Sequence, residues 1–557
     1  MKTWKTNLEE TKQRYINWWN HKGIILSMWE HFQEGVKPHA DIAPPAPARD
    51  LSQKWFDPQW RAEYLDWYVA HSSLMADMLP VANTQLGPGS LAAILGGVFE
   101  GGEDTIWIHP DPNFNDEIVF NPEHPNWLLH KELLKACKAK ANGNYFVGMP
   151  DLMEGLDVLA ALKGTDMVLL DTVMQPEVLE QQMQQINDIY FKVFDELYDI
   201  IREGDEMAFC YFSSWAPGKM SKLQSDISTM ISQDDYRRFV QPFIREQCQK
   251  IDYTLYHLDG VGAMHHLPAL LEIEELNAIQ WTPGVGEPQG GSPKWYDLYK
   301  KILAGGKSVM ACWVTLEELK PLLDHIGADG VHLEMDFHNE REVEQAMRII
   351  EEYTGSSSSV SADVHTNQPV GEQDNAQESI RIREEKSQEE DRMKPLYDAI
   401  VAGKLEPAVE VTKDAIAAGV LPQDIINGYM ITAMGEVGQR FQDGKAFVPQ
   451  LLMAGRAMKG ALELLKPLLA GNASATIGKI VIGTVKGDLH DIGKNLVASM
   501  LEGCGFEVIN IGIDVTCDKF VEAVKENKAD ILCMSALLTT TMTYMQDVIR
   551  ALEEAGI

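Results

Sequence analysis

The sequence predicts an α/β protein with several parts, and three observations lead to that prediction. Strand-like and helix-like runs alternate through residues 1–353, whereas residues 354–381 are polar and have no periodic apolar face. Residues 382–472 have helical periodicity throughout, and residues 476–557 return to a strand–helix pattern. A length of 557 residues is typical of about three or four domains.

The first 353 residues are predicted to form a (β/α)₈ TIM barrel. Eight alternations of a short apolar run with an amphipathic stretch favour a barrel over an open sheet. The predicted strands are Gly23–Trp29, Tyr145–Met149, Met167–Leu170, Met207–Phe212, Tyr253–His257, Ala278–Trp281, Ser308–Cys312 and Val331–Glu334. Functional side chains of such barrels lie at the carboxyl ends of the strands.

Residues 354–381 are predicted to be a flexible linker. They contain Ser356-Ser357-Ser358-Ser359 and then polar and acidic residues. About 26 residues of this composition span roughly 25–30 Å. That reach would allow the parts of the chain on either side to move while they stay connected.

Composition and charge exclude several classes of function. The net charge of −35 argues against binding to nucleic acid or to anionic membranes. No run of about 18 apolar residues predicts a transmembrane helix, and the N-terminus lacks the apolar core of a signal peptide. The seven cysteines are scattered and form no CxxC motif, which is typical of a reduced, cytoplasmic protein.

The most specific motif is the run Gly487-Asp488-Leu489-His490-Asp491-Ile492-Gly493, which follows a strand-like stretch and opens a helix-like one. Ser535-Ala536-Leu537 begins 42 residues after Gly493. The pattern Asp-x-His-x-x-Gly, this gap and Ser-x-Leu together resemble the corrinoid-binding module of cobalamin-dependent methionine synthase, mutases and methyltransferase corrinoid proteins. The resemblance implies a Rossmann-like, flavodoxin-like domain over residues 476–557 with cobalamin, and hence cobalt, as its cofactor.

The resemblance also assigns roles to single residues. His490 is the expected lower axial ligand of cobalt, and Asp488 is expected to accept the second N–H of that imidazole. Gly493 would leave room for the nucleotide tail of the cofactor. The remaining expected tail-pocket and relay residues are Ser535, Leu537 and Thr541.

The family pattern continues with Gly-Gly some two dozen residues beyond Leu537, past Ile557. We therefore expect the cobalamin-binding domain to be incomplete at its C-terminus. The helical segment 382–472 resembles the four-helix cap that precedes this domain in the family. The resemblance places Phe447 among the residues that shield the upper face of cobalt.

Polar and soft side chains mark the ends of the strands predicted in the first 353 residues. Of these segments, His257-Leu258-Asp259-Gly260 and Trp281-Thr282-Pro283-Gly284 resemble the uroporphyrinogen decarboxylase superfamily. That superfamily includes methyltransferases that act with corrinoid proteins, such as methylcobamide:coenzyme M methyltransferase. The first predicted strand lacks the arginine pair of the decarboxylases, so decarboxylation of a poly-acid is disfavoured.

His257, Asp259 and Glu334 are the candidate catalytic residues of this part. The related coenzyme M enzymes hold zinc with His-x-Cys and a later Cys, whereas this chain has His257-x-Asp259 and Glu334. A zinc site of His257 and Glu334 with Cys312 is chemically feasible. The alternative is that His257 and Asp259 form a hydrogen-bonding pair that orients substrate without metal.

The leading hypothesis is a corrinoid-dependent methyltransferase that moves a methyl group between a small methylated compound, methoxylated or N-methylated, and the cobalt of its own cobalamin domain. One alternative is transfer from methyl-cobalamin to a thiol; others are a corrinoid-binding ligand sensor and a decarboxylase-like enzyme. Family resemblance implies a small-molecule methyl donor or acceptor, a second methyltransferase, a corrinoid-reactivating reductase and an anaerobic host.

Overall fold

The computed structural model describes residues 4–102, 105–111, 114–284, 286–354, 384–469, 478–488, 492–503, 506–536 and 539–557. The chain divides into two compact units, Met1–Ser358 and Ser359–Ile557. The first is called the N-terminal unit and the second the C-terminal unit. The residues of the predicted linker from 355 onward lie outside the described residues.

The N-terminal unit alternates strands with helices. Its strands are β1 Ile24–Ser27, β2 Val81–Ala82, β3 Val98–Gly101, β4 Ile106–His109, β5 Phe146–Met149, β6 Met207–Phe209, β7 Trp215–Ala216, β8 Met220–Gln224, β9 Tyr253–Asp259, β10 Ala278–Thr282, β11 Ser308–Val314 and β12 Val331–Met335. Its α-helices are α1 Leu8–Trp19, α2 Leu51–Phe56, α3 Pro58–His71, α4 Ser90–Ile94, α5 Pro125–Ala141, α6 Gly155–Lys163, α7 Thr165–Met174, α8 Pro176–Ile201, α9 Gln233–Phe239, α10 Gln241–Lys250, α11 Leu267–Leu271, α12 Tyr296–Ala304, α13 Leu316–Ile326 and α14 Glu340–Thr354.

Two larger sheets form the centre of this unit. The first is six-stranded and wholly parallel, in the order β1-β12-β11-β10-β9-β8. The second has the order β2-β5-β6-β7, with β7 antiparallel to β6, and β3 and β4 form a separate hairpin. The first strand of the unit therefore pairs with its last, and residues of both are buried.

The parallel α/β architecture is confirmed, but a closed barrel is not. Among the described residues, no backbone pairing joins the six-stranded sheet to the four-stranded one. The short β2 and the reversed β7 stand at the two ends of the second sheet. These strands present little or no parallel edge for further pairing.

One predicted strand is wrong. Met167–Leu170 lies in helix α7. Within it Val168 and Leu169 are buried whereas Met167 is 52% exposed, as expected for one face of a helix. A short apolar run alone does not separate a strand from a buried helix segment.

Local sequence signals explain where several helices begin. The Asp57 carboxylate accepts hydrogen bonds from the Gln59 and Trp60 amides, and Pro58 occupies the first helical position of α3. Thr315 and Glu318 form a reciprocal capping box at the start of α13. α13 follows directly on β11, whose end contributes to the site described below.

The C-terminal unit begins with a group of helices and ends with a three-stranded sheet. Its elements are α15 Glu384–Val401, α16 Leu405–Ala417, α17 Pro422–Ile425, α18 Ile431–Gln442, α19 Val448–Leu469, β13 Lys479–Thr484, α20 Ile492–Gly503, β14 Glu507–Asn510, α21 Cys517–Asn527, β15 Ile531–Ser535, α22 Thr539–Met542 and α23 Tyr544–Glu554. A single π-helical turn over Ile426–Met430 joins α17 to α18. The helices up to α19 share one apolar core that includes Leu396, Met430 and Met458.

The sheet of this unit is parallel, with the order β14-β13-β15. β13 is first in the chain and central in the sheet. The chain therefore leaves β13 to one side for β14 and afterwards crosses to the other side for β15. Such a reversal creates a crevice at the carboxyl ends of the strands, where open α/β sheets bind their ligands.

No helix among the described residues is both long enough and apolar enough to span a lipid bilayer.

Candidate functional site

The loops that follow β13 and β15 flank the crevice of the C-terminal sheet. Ser535 pairs in register with Thr484 at the ends of these two strands, and the Val485 amide donates to the Ser535 carbonyl at 3.0 Å. The motif beginning at Gly487 and the segment beginning at Ser535 are therefore neighbours in space. The predicted cobalt ligand His490 and the predicted tail-pocket residue Leu537 lie outside the described residues.

Asp488 is fully buried at the base of this crevice. Its carboxylate oxygen Oδ2 accepts a 2.7 Å hydrogen bond from the Thr541 hydroxyl. The preceding Gly487 has a φ of +82°, which favours glycine, and its amide donates to Asp514 Oδ1 at 2.8 Å. The backbone thus fixes the loop that positions the Asp488 side chain.

Three other residues assigned by the sequence lie in separate places. Ser535 is half-buried at the end of β15, and Gly493 lies exposed in the first turn of α20. A Cβ atom at Gly493 would meet no atom within 4 Å, so the space beside its backbone is open. Phe447 is half-buried just before α19, and its amide donates to Gln450 Oε1 at 2.8 Å.

In the N-terminal unit, polar side chains form a band across the end of the six-stranded sheet. His257 of β9 stands in register between Gln224 of β8 and Gln280 of β10. Cys312 of β11 and Glu334 of β12 are paired in register further along. The sequence-assigned residues His257, Cys312 and Glu334 therefore all lie at the carboxyl ends of neighbouring strands.

Gln280 divides this band into two parts. Its Oε1 atom accepts a hydrogen bond from His257 Nδ1, and its Nε2 atom donates to Cys312 Sγ at 3.0 Å. With Nδ1 occupied, His257 Nε2 is the atom that faces Asp259, 4.0 Å from Oδ2. Cys312 and Glu334 lie on the other side of the amide.

Asp226, His257 and Asp259 each offer one ligand atom within 4.8 Å of the others. Among the described residues these three form the group with metal-ligand geometry, and Cys312 and Glu334 are not part of it. Three side-chain ligands with an open fourth position are typical of catalytic zinc sites. The predicted set of His257, Glu334 and Cys312 is thus not brought together, whereas His257 and Asp259 gain Asp226 as a neighbour.

A buried ion pair lies next to this group. Lys222 Nζ is 2.6 Å from Asp151 Oδ2, and both side chains are only 1% exposed. The ammonium group also contacts Gln224 Oε1, and Gln224 Nε2 donates to Asp226 Oδ2 at 2.9 Å. Lys222 is therefore connected to the metal-ligand group through Gln224.

Burial sets the protonation of these groups. Burial, with the nearby Lys222 charge, lowers the pKa of His257 to about 3, so its imidazole is neutral at pH 7. Burial raises the pKa of Asp259 above its ordinary value and that of Glu334 to about 8. A neutral imidazole with a free lone pair thus stands beside a carboxyl group that binds protons more readily than usual.

A cavity of about 550 Å³ lies near this band, although no residue of the band lines it. Tyr211 lines the cavity, and its ring centre lies 6.4 Å from that of His257. The following Phe212 and Ser213 have φ values of +62° and +43°, an uncommon conformation for residues with side chains. Trp29, which also lines the cavity, stacks on Trp313, whose φ is +53° at a bulge in β11.

The family models that match the chain do so within the C-terminal unit. Two family models, each described as a B12 binding domain, match residues 478–557 and 393–466. Trimethylamine corrinoid protein 1 of Methanosarcina mazei is 45% identical over 162 residues, which are 29% of this chain and 75% of that protein. Dimethylamine corrinoid protein 1 of Methanosarcina acetivorans is 46% identical over 153 residues, which are 26% and 72% of the two chains.

The chain belongs to the B12-binding corrinoid proteins. Its cofactor is cobalamin, and its C-terminal sheet is the Rossmann-like B12-binding domain of that family. A methanol:cobalamin methyltransferase complex from Methanosarcina barkeri is 34% identical over 32% of this chain and 71% of that chain, with a TM-score of 0.28.

The geometry of the B12-binding domain fits cobalamin. The crevice stands at the topological switch point, open space adjoins Gly493, and the buried carboxylate of Asp488 comes two residues before the predicted axial histidine in the sequence. We propose His490 as the cobalt ligand, with Asp488 and Thr541 as its relay. Ser535, Leu537 and Gly493 are then proposed to line the path of the nucleotide tail, and Phe447 to shield the upper face.

Sequence reasoning missed several residues of the N-terminal site. Asp226 follows β8, and Lys222, Gln224 and Gln280 lie within strands, so no linear motif connects them with His257. The alternation along β8 places Lys222 and Gln224 on one face, and this was the signal available in the sequence. Recognising β8 as a strand was the missing step.

Proposed function

We propose that this chain is a corrinoid-dependent methyltransferase. Its N-terminal unit, which we propose to be related to the uroporphyrinogen decarboxylase superfamily, moves a methyl group between a small methylated substrate and the cobalt of its own cobalamin domain. The observation behind this proposal is the presence, in one chain with a B12-binding domain, of the group Asp226, His257 and Asp259 and of a nearby cavity that Tyr211 connects with His257.

Cobalamin, when bound, supplies a cobalt atom that takes up and releases methyl groups. The chain's own residues must then stabilise the oxygen or nitrogen atom that loses the methyl group. Asp259 suits this role because burial raises the pKa of its carboxyl group above the ordinary value, which brings it closer to that of a general acid. A divalent metal held by Asp226, His257 and Asp259 would polarise the same leaving atom instead.

The geometry supports the direction from substrate to cobalt over transfer to a thiol. Activation of a thiol by zinc favours sulfur ligands around the metal. The Cys312 thiol is fully buried, accepts a hydrogen bond from Gln280, and stands outside the metal-ligand group. Burial also raises the pKa of Cys312 well above its ordinary value, which disfavours the thiolate.

The relatives named above are corrinoid proteins for methylamines, which supports a role in methyl transfer. A second methyltransferase would pass the methyl group on, and a reductase would restore oxidised cobalamin. Tethering of the two units would raise their effective concentration to about the millimolar range.

The test uses the whole chain loaded with cobalamin and reduced under anaerobic conditions. Methoxylated aromatics, methylamines, betaines and methanol are added separately, and the visible spectrum is recorded. We expect one class of donor to produce the spectrum of methylcobalamin. Asp259→Asn should slow that reaction by about 100-fold, whereas Asp297→Asn, at an exposed site on α12, should not change it.

Two results contradict the proposal. Loss of the methyl group from added methylcobalamin to thiols, without any reaction of the donors, would reverse the direction of transfer. Binding of donors without transfer in either direction would indicate a ligand sensor.

A further inference from the structure

The cavity of the N-terminal unit has an unusual aromatic lining. Six aromatic side chains line it, namely Trp29, Trp55, Trp60, Tyr64, Tyr68 and Tyr211. Its volume of about 550 Å³ lies within the range of small-molecule sites and far exceeds a methanol or methylamine molecule. A flat aromatic molecule matches both the volume and the lining.

Arg61 places a buried positive charge in the wall of this cavity. Its side chain lies 5.1 Å from the ring centre of Trp55, and the residue is only 7% exposed. Its NH2 group donates to the carbonyl oxygens of Asn83 at 3.2 Å and Gln85 at 3.1 Å. Its Nε–H has no hydrogen-bond partner.

No carboxylate within the described part of the chain forms an ion pair with Arg61. A buried guanidinium without a counter-charge is destabilising, and burial lowers the pKa of Arg61 accordingly. A ligand carboxylate beside the guanidinium would supply that counter-charge. Arg61 therefore favours an anionic ligand.

His31 offers a second unused polar atom. It lines the same cavity, is 9% exposed, and its Nε2 atom has no hydrogen-bond partner. Burial lowers its pKa to about 4, so the ring is neutral at pH 7 and can bond to an ether or hydroxyl oxygen. The cavity thus offers one group for a carboxylate and one for a neutral oxygen.

A quaternary ammonium ligand fits this cavity less well. The indole of Trp55 already has Arg61 at 5.1 Å and Lys54 at 5.3 Å from its ring centre. Trp60 and Tyr64 stack on each other, with ring centres 5.4 Å apart and planes inclined by 6°. The faces that would hold a further cation are therefore partly occupied. The lining carries two positive charges, Lys54 and Arg61, against the single carboxylate of Glu30, and this balance disfavours a cation.

We infer that the cavity binds the methyl donor as an aromatic carboxylate bearing a methyl ether, with its carboxylate on Arg61. This inference rests on the proposed function, because only that function makes the bound molecule a substrate. The ring lies among the aromatic side chains, and His31 is available to its oxygen substituents.

Three probes that share one ring test the charge preference. They are 4-methoxybenzoate, methoxybenzene and the 4-methoxyphenyltrimethylammonium cation. Isothermal titration of the whole chain without cobalamin measures binding separately from methyl transfer. We expect the benzoate to bind at least 10-fold more tightly than methoxybenzene and the cation to bind most weakly.

Substitution of the arginine tests the assignment of the carboxylate to Arg61. Arg61→Gln should weaken binding of 4-methoxybenzoate at least 10-fold and leave that of methoxybenzene unchanged. Arg238→Gln removes an exposed arginine that contacts Glu180 and should change neither affinity. Equal losses for both ligands in Arg61→Gln, with a native circular dichroism spectrum, would overturn the assignment.

If Arg61→Gln does not fold, binding of the three probes to the unaltered chain still tests whether the cavity prefers an anionic ligand. Equal affinity for the benzoate and methoxybenzene, or preference for the cation, overturns the inference. Transfer from methanol or methylamines without binding of the benzoate would also overturn it, while the proposed function would stand. Tight binding of the benzoate without methyl transfer from any donor would support the anion site in the cavity but contradict the proposed methyltransferase function.

Discussion

The Thr541 hydroxyl donates a 2.7 Å hydrogen bond to Asp488 Oδ2 across 53 residues of sequence. The bond joins the loop after β13 to the segment after β15, and the Asp488 side chain is fully buried there. A hydrogen bond to a buried carboxylate is stronger than one to a neutral acceptor. The relay proposed for the cobalt ligand thus has two of its three members in contact.

Removal of this hydroxyl should weaken cobalamin binding. Thr541→Val keeps the shape of the side chain but leaves Asp488 without that donor, so we expect about a 10-fold loss of affinity. Thr541→Ser retains the hydroxyl and serves as the matched control. Equilibrium dialysis with hydroxocobalamin measures both, and unchanged affinity in Thr541→Val would contradict the relay.

Replacement of His490 should change the cobalt spectrum itself. In the proposed arrangement a histidine nitrogen is the lower ligand, so ¹⁵N-labelled histidine should alter the nitrogen splitting in the electron paramagnetic resonance spectrum of Co(II). His490→Ala should abolish that effect, whereas His338→Ala, on the surface of the N-terminal unit, should keep it. An isotope effect that survives in His490→Ala would point to another nitrogen ligand.

Loss of Lys222 should destabilise the N-terminal unit. Lys222→Met leaves the buried Asp151 carboxylate without its cation, which costs about 3–5 kcal/mol of unfolding free energy. The double variant Lys222→Met/Asp151→Asn should recover a large part of this loss. All 13 tryptophans precede residue 314, so tryptophan fluorescence in urea follows this unit alone. A loss below about 1 kcal/mol would show that the pair is dispensable.

His130 should make the N-terminal unit sensitive to acid. It is 1% exposed, its Nδ1 bonds to the Asn126 carbonyl at 2.6 Å, and burial lowers its pKa to about 4. Because this pKa lies below the ordinary value near 6.5, the stability contributed by neutral His130 is complete above pH 6.5 and decreases toward pH 4. The decrease amounts to about 3 kcal/mol.

His130→Phe should therefore be less stable than the natural chain at pH 7.5 but should lose less stability on acidification. Urea midpoints at pH 7.5 and pH 4.5, followed by tryptophan fluorescence, measure the difference. His338→Gln changes an exposed histidine and should keep the full pH dependence. If His130→Phe lost as much stability between pH 7.5 and pH 4.5 as the natural chain, another group would be responsible for the acid sensitivity.

Zinc binding should depend on Asp226 rather than on Cys312. The three grouped ligands are Asp226, His257 and Asp259, whereas Cys312 is separated from His257 by Gln280. We expect Asp226→Asn to weaken zinc binding by at least 10-fold in a calorimetric titration, and Cys312→Ser to leave it unchanged. If Cys312→Ser weakened zinc binding and Asp226→Asn did not, the zinc ligands would instead be His257, Glu334 and Cys312.

The cobalamin cofactor could be predicted from the sequence because its residues form a linear pattern. Asp488, Gly493 and Ser535 have a spacing in the sequence that can be recognised without the structure. The metal-ligand group differs, since Asp226 and His257 come from separate strands and meet only through the order of the sheet. Glu334 and Cys312 were correctly placed at strand ends, but a single amide, Gln280, separates Cys312 from His257.

The burial of Arg61 is a further feature that could not be predicted from the sequence. It lies within α3, where an arginine is ordinarily a surface residue, and only the packing of Trp55 over it shows that it is buried. The strand assignment of Met167–Leu170 failed for the related reason that apolar content does not fix backbone conformation.

The pairing of β1 with β12 has a consequence for synthesis on the ribosome. Ile24 finds its partner Val331 only after about 300 further residues have been added, which takes roughly 15–60 s at bacterial and eukaryotic translation rates. Until then the edge of β1 is open to pairing with other nascent chains. A chaperone that holds the early segment until β12 has been synthesised would therefore limit such pairing.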